Sequence, residues 1–258
     1  MRLTVLGSAA SYPDAGRACS GHLVTDGPTA VLLDCGNGVL SNLARVMDPV
    51  RLDAVFVTHA HVDHFADVYA LQAALRYSPD GPLPPMPLYL PAGLFERMAA
   101  VLTDRGAGEF AEAFDVRCLE AGVPVTVGDL TVVPAEVDHI DPTYALRVSA
   151  GGALLCYTSD SAPGESVLAA ACGADVLLAE ATLPPAFEGR APHMTPAQAA
   201  EVARSVGART LVLTHLWPTV DRVAAAREAG ERFGGRVIVA EELDTVDVAP
   251  STGSDIEP

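Results

Sequence analysis

The chain contains no lysine: all 16 of its Lys+Arg positions are arginine. That absence excludes lysine Schiff-base chemistry and a P-loop, both of which need the amine. Cations of any kind are few, 16 against 33 Asp+Glu, for a formal net charge of −17. Extended nucleic-acid binding needs clustered cations, so this balance argues against it. A small anionic substrate stays open, because bound metals reverse the sign locally. Aromatic residues make up only 5%, with a single Trp. Cysteine is sparse: Cys19, Cys35, Cys118, Cys156 and Cys172 are odd in number and form no C-x-x-C pair. They read as reduced thiols in a cytoplasmic protein. No apolar run reaches the roughly 18–20 residues of a membrane span. The richest stretch, Val167 to Leu178, is broken by Gly173 and Asp175. Met1 to Gly7 is too short and too strand-like for a signal peptide.

What is present is a core. Half of the 258 residues are hydrophobic, ample for a large α/β domain. Apolar runs predict strands at Leu3–Leu6, Ala30–Leu33, Ala54–Val57 and Leu88–Leu90. Helical spacing covers Val39–Val46, Phe65–Tyr77 and Leu94–Leu102, and a proline-rich connector runs from Pro79 to Pro87. Val123–Val127, Leu130–Val137, Tyr144–Val148 and Ala153–Tyr157, each bounded by Gly, Pro or Asp, predict an antiparallel meander. The last third alternates: helices at Val167–Ala171, Pro196–Val206 and Val220–Arg232, strands at Val176–Ala179, Leu211–Leu213 and Val237–Val239. The simplest packing is one domain over 1–243, two mixed sheets with helices outside, followed by a polar, acidic, fraying tail at 244–258.

The chemistry concentrates in Thr58-His59-Ala60-His61-Val62-Asp63-His64, where three His and an Asp follow directly on the buried strand Ala54–Val57. His59 and His61 are two apart and point the same way on an extended backbone; Asp63 and His64 come where a helix starts. Such a loop presents ligands to two adjacent metal ions rather than all four to one. Imidazole with carboxylate suits Zn²⁺, and also accepts Mn²⁺ or Fe. Further ligands must come from elsewhere. Of the seven histidines, His22, His139, His193 and His215 remain. His139, Asp160 and His215 each follow an apolar strand, the place where an α/β scaffold gathers its site.

On these residues the chain resembles the metallo-β-lactamase superfamily, through the His-x-His-x-Asp-His run at His59–His64 and the later His139, Asp160 and His215. The resemblance implies a four-layer αββα sandwich with metals at one edge. It places one metal on His59, His61 and His139, a second on Asp63, His64 and His215, and Asp160 between them. Within the superfamily the chain is most similar to the ribonuclease Z group and its small-phosphodiesterase relatives. The carrying segments are Leu33-Asp34-Cys35-Gly36, Glu180-Ala181-Thr182 and His193-Met194-Thr195, with Thr195–Ala200 running into Leu211–His215. In that group the His at position 193 assists catalysis without ligating. Two departures stand out. Ala179 occupies a position where the group usually carries His. The interval from His139 to Asp160, filled by two strands and the Gly151-Gly152 turn, leaves no room for the long arm of tRNA-processing members.

The resemblance implies a cytoplasmic, zinc-dependent hydrolase with two Zn²⁺ per chain. It acts on a small phosphodiester such as a cyclic nucleotide through a metal-bridging hydroxide. His193 and Asp63 are the catalytic residues, Asp63 orienting the hydroxide while ligating. A homodimer is a further implication. The alternatives are a tRNA 3′-processing endonuclease, a lactonase or thioesterase of the same superfamily, and a metal-binding scaffold without turnover. Thr58, Thr214 and Ser161 neighbour the ligands and are either their hydrogen-bond supports or ordinary turn residues. Asp34 either fixes a turn near the site or forms a plain Asx turn. The Pro79–Pro91 segment flanks either the pocket or a subunit contact.

Overall fold

The computed structural model describes residues 1–79 and 81–250. The strands are β1 (Arg2–Gly7), β2 (Gly21–Asp26), β3 (Thr29–Leu33), β4 (Ala54–Phe56), β5 (Met86–Leu90) and β6 (Phe114–Cys118), then β7 (Val125–Val127), β8 (Leu130–Glu136), β9 (Tyr144–Ala150), β10 (Ala153–Tyr157), β11 (Val176–Glu180), β12 (Thr210–Thr214) and β13 (Arg236–Val239), and finally β14 (Thr245–Asp247). They form two seven-stranded sheets, ordered β14-β1-β2-β3-β4-β5-β6 and β13-β12-β11-β10-β9-β8-β7. Both are mixed. In the first, β1 to β3 run antiparallel and β3 to β6 parallel. In the second, β7 to β10 form the expected antiparallel meander, and β10 to β13 are parallel.

The helices are α1 (Val39–Leu43), α2 (Val68–Arg76), α3 (Leu94–Ala99), α4 (Asp104–Ala113), α5 (Glu165–Ala171), α6 (Pro196–Ser205) and α7 (Arg222–Phe233). Alternation along the strands sorts side chains into three apolar layers. Val5, Leu33, Phe56, Leu146, Tyr157, Leu178 and Val212 fill the space between the sheets. Leu32, Val55 and Leu88 face Leu71, Leu75 and Phe110 of the first helical layer. Leu177, Leu211 and Leu213 face Val167, Ala203 and Ala229 of the second. The result is an αββα sandwich, and burial on both faces explains why the strands read as unbroken apolar runs.

Several elements differ from the sequence expectation. β2, β6 and α4 have no counterpart there. Thr245–Asp247, expected within a frayed tail, pair with Arg2–Thr4 of β1 as an edge strand; residues 251–258 of that tail lie outside the described residues. The connector gives way to β5 already at Met86, so Pro87 is a strand residue, paired with Asp115. Pairing with β4 begins only at Leu88, so the missing N–H at Pro87 interrupts no ladder on that side. Asp80, within the Pro79–Pro91 segment, lies outside the described residues.

Candidate metal centre

The site stands where strand ends of both sheets meet. β4 delivers His59 and His61; a single 3₁₀ turn, Val62–His64, carries Asp63 and His64. β8, β10 and β12 of the other sheet deliver His139, Asp160 and His215. The loop from β4 is clamped from behind by the turn after β3: Cys35 N–H donates to the His64 carbonyl at 2.7 Å, and Asp67 N–H to the Cys35 carbonyl at 2.9 Å. Gly36 is required there, since a Cβ would sit 2.0 Å from the Asp63 carbonyl oxygen.

The seven expected ligands gather in two sets. In the first, His61 Nδ1 lies 3.1 Å from His59 Nε2 and 3.2 Å from His139 Nε2. Asp160 Oδ2 is 3.6 Å from both His59 Nε2 and His139 Nε2. In the second, His215 Nε2 is 3.3 Å from His64 Nε2 and 3.3 Å from Asp63 Oδ2. Asp160 Oδ1 reaches this set, 3.3 Å from His64 Nε2. Asp160 therefore stands between the sets, one oxygen toward each. Donor atoms in each set lie within 4.8 Å of one another.

The donor chemistry fits divalent cations. Asp160 Oδ1 is buried without a hydrogen-bond partner among the described residues, an arrangement that costs free energy unless a cation faces it. The far sides of the rings are held. His64 Nδ1 donates to Asp34 Oδ2 at 2.8 Å. His139 Nδ1 donates to the Pro192 carbonyl at 3.1 Å. His215 Nδ1 lies 2.8 Å from Thr182 Oγ1, and His59 Nδ1 3.1 Å from Thr58 Oγ1. Fixing one ring nitrogen this way turns the other, with its lone pair, toward the cluster. Burial holds His59 well below the ordinary imidazole value, with the charge of His64 acting the same way. Burial also opposes charge on His64, but the carboxylates of Asp160 and Asp34 overcome it and raise its value. Asp160 is held well below the usual carboxylate range: burial pushes upward, and His215 and His64 outweigh it.

Beside the sets lies His193, whose Nδ1 donates to Glu180 Oε1 at 2.8 Å. Burial lowers its affinity for a proton, yet the hydrogen bond and charge of Glu180 raise it above the ordinary value. His193 shares a third donor grouping with Asp160 and His215. Its loop is set by the start of α6, where Thr195 and Gln198 form a reciprocal capping box with Pro196 at the first turn.

Some roles were not visible in the sequence. Glu180, wholly buried, is the hub behind the site: Oε1 also accepts Ser161 N–H at 2.7 Å, and Oε2 accepts Thr182 Oγ1–H at 2.6 Å. Ser159 Oγ donates to Thr58 Oγ1 at 2.7 Å. The available signals were its place in the Glu180-Ala181-Thr182 segment and its position at a strand end, like the ligands. Among the residues expected as supports, Thr58 serves as one. The hydroxyls of Ser161 and Thr214 make no hydrogen bond among the described residues. Asp34, at φ 58°, does more than close a turn: it accepts from Thr58 N–H and Oγ1–H, His64 Nδ1–H and Tyr157 O–H. His22 stays outside both sets, buried edge-on to Tyr157 and driven down to about 3 by burial. Ala179 packs into the helix-covered core. Among the described residues no helix is long and apolar enough to cross a membrane.

Residues 29–216 match the family described as the beta-lactamase superfamily domain. The protein Rv1339 of Mycobacterium tuberculosis is 34% identical over 92% of this chain and 88% of its own. The probable metallo-hydrolase YhfI of Bacillus subtilis is 30% identical over 93% of this chain and 97% of its own. Its crystal structure superposes with a TM-score of 0.85 over 95% of this chain and 99% of that one, at 29% identity. A ribonuclease Z of Mycobacterium bovis is 30% identical over 97% of this chain and 99% of its own.

Proposed function

This chain belongs to the beta-lactamase superfamily and is a metallo-hydrolase of that superfamily, and we propose that it is a zinc phosphodiesterase acting on a small phosphodiester such as a cyclic nucleotide. The observation that carries this reading is the double donor set: His59, His61 and His139 on one side, Asp63, His64 and His215 on the other, with Asp160 facing both. Each set would hold one Zn²⁺. Divalent cations so placed supply Lewis acidity toward phosphoryl oxygens and make hydroxide available near neutral pH.

The chain's own groups do the rest. Asp63, its Oδ2 fixed by the Ser11 N–H at 2.7 Å, orients the nucleophile. His193, held by Glu180, stabilises charge on the phosphoryl oxygens and donates a proton to the leaving oxygen as its P–O bond breaks. The likeness to ribonuclease Z supports a phosphodiester bond as the target. That likeness also motivates a second reading, tRNA 3′-end cleavage. Against it stand the net charge of −17 and the absence of lysine. The cavity of about 580 Å³ beside His139 is moreover walled by Glu136, Asp138 and Asp141. Five unpaired thiols support a cytoplasmic setting.

The test is a substrate panel on zinc-loaded protein: bis(p-nitrophenyl) phosphate, 2′,3′- and 3′,5′-cyclic nucleotides, a lactone, a thioester and a precursor tRNA. Turnover of the small phosphodiesters is expected. Lactone or thioester turnover without phosphodiester turnover would sink the reading.

A further inference from the structure

Aromatic residues are scarce in this chain, yet two of them meet between segments that lead to His193 and from His215. Trp217, the single tryptophan, stands two residues beyond His215 and is only partly buried. Phe187, 40% exposed, lies in the segment between Thr182 and His193. Their ring centroids are 6.0 Å apart at 87°. The Arg190 guanidinium lies 5.1 Å over the Phe187 ring and makes no ion pair among the described residues.

Both segments are pinned to the centre. Thr182 Oγ1 lies 3.0 Å from the His215 carbonyl oxygen and 2.8 Å from His215 Nδ1. Leu183 N–H donates to the Met194 carbonyl at 3.0 Å, and the Pro192 carbonyl accepts from His139 Nδ1. The two segments that carry the aromatic pair are therefore tied to His215, to His139 and to the segment of His193.

We propose that Phe187, Trp217 and Arg190 form a subsite for the planar base of the substrate, so that the phosphodiester reaching the centre is a nucleotide. This rests on the phosphodiesterase reading. Two perpendicular rings make a corner in which a flat heterocycle stacks on one ring and offers its edge to the other. Stacking is tolerant of base identity, so the subsite selects nucleotides as a class. Arg190 adds a cation for an anionic ligand.

Because Trp217 is the sole tryptophan, intrinsic fluorescence reports the subsite directly. Zinc-loaded protein is titrated with AMP and with ribose 5-phosphate, which share the phosphate and differ in the base. Saturable quenching by AMP alone is expected. Phe187→Ala, which keeps the reporter, should weaken AMP binding about tenfold. Trp217→Ala should raise KM for a cyclic nucleotide about tenfold relative to that for the base-free 2′,3′-cyclic ribose phosphate, with Trp217→Phe restoring most of the ratio. Equal quenching by both ligands, no quenching by AMP, or an unchanged KM ratio overturns the subsite. Should Trp217→Ala fail to fold by circular dichroism, Phe187→Ala and Trp217→Phe decide. Quenching by AMP in a protein that turns over no phosphodiester leaves the subsite standing and removes the phosphodiesterase reading.

Discussion

At the scale of single residues, the donor atoms depend on what grips the far side of each ring. Asp34 and His193 separate the two jobs. Asp34 never reaches the cluster; it accepts the His64 Nδ1 proton at 2.8 Å from a wholly buried position. Asp34→Asn keeps the shape but weakens the acceptor that aims His64, so zinc affinity should fall about 10–100-fold in a competitive chelator titration. His193 is gripped by Glu180 and groups with Asp160 and His215. His193→Ala should lower kcat about 10²–10⁴-fold, with zinc content by elemental analysis unchanged. Zinc loss in the His193 variant, or full affinity in the Asp34 variant, would show the roles to be assigned wrongly.

At the scale of elements, the loop bearing His59 to His64 is shaped by the turn that follows β3. Gly36 lies so close to it that an added Cβ would stand 2.0 Å from the Asp63 carbonyl and 2.9 Å from the Cys19 side chain. Backbone cannot yield there as a flexible side chain would. Gly36→Ala should therefore cost about 1–3 kcal/mol in denaturant unfolding and reduce zinc content as well. Gly108→Ala, inside α4 with nothing within 4 Å, should be neutral or slightly stabilising. Equal behaviour of the two variants would refute the contact argument. The same contrast between local and distant contacts decided what the sequence could reveal. The run at His59–His64 and the apolar strands before His139, Asp160 and His215 are local signals, and the residues that they single out are ones the fold brings together. β2 lies between a Gly-rich loop and the Gly27 turn, β6 is largely exposed along its length, and α4 carries two glycines, so none has a clean period. β14 is three residues of an edge strand in an acidic stretch. Glu180, Thr182, Ser159 and Tyr157 gain their roles only through strand pairing and the meeting of the two sheets, which no window of sequence contains.

At the scale of the whole molecule, the centre is a seam. His59, His61, Asp63 and His64 come from the first sheet, and His139, Asp160 and His215 from the second. The carboxylates of Asp63 and Asp160 and a cluster of imidazoles meet at the end of the sandwich. Binding a cation to the folded state draws both sheets onto one charge, and an unfolded chain offers no such cage. Zinc at a hundred times its dissociation constant should add about 2.7 kcal/mol to folding stability. In a chain of this size that raises Tm by roughly 5–11 °C, measured by calorimetry before and after chelation and readdition. Asp160→Ala removes the one side chain that faces both sets, so the zinc-dependent shift should shrink to a small fraction of the wild-type value. An undiminished shift in that variant would mean that the stabilising cation binds away from the seam.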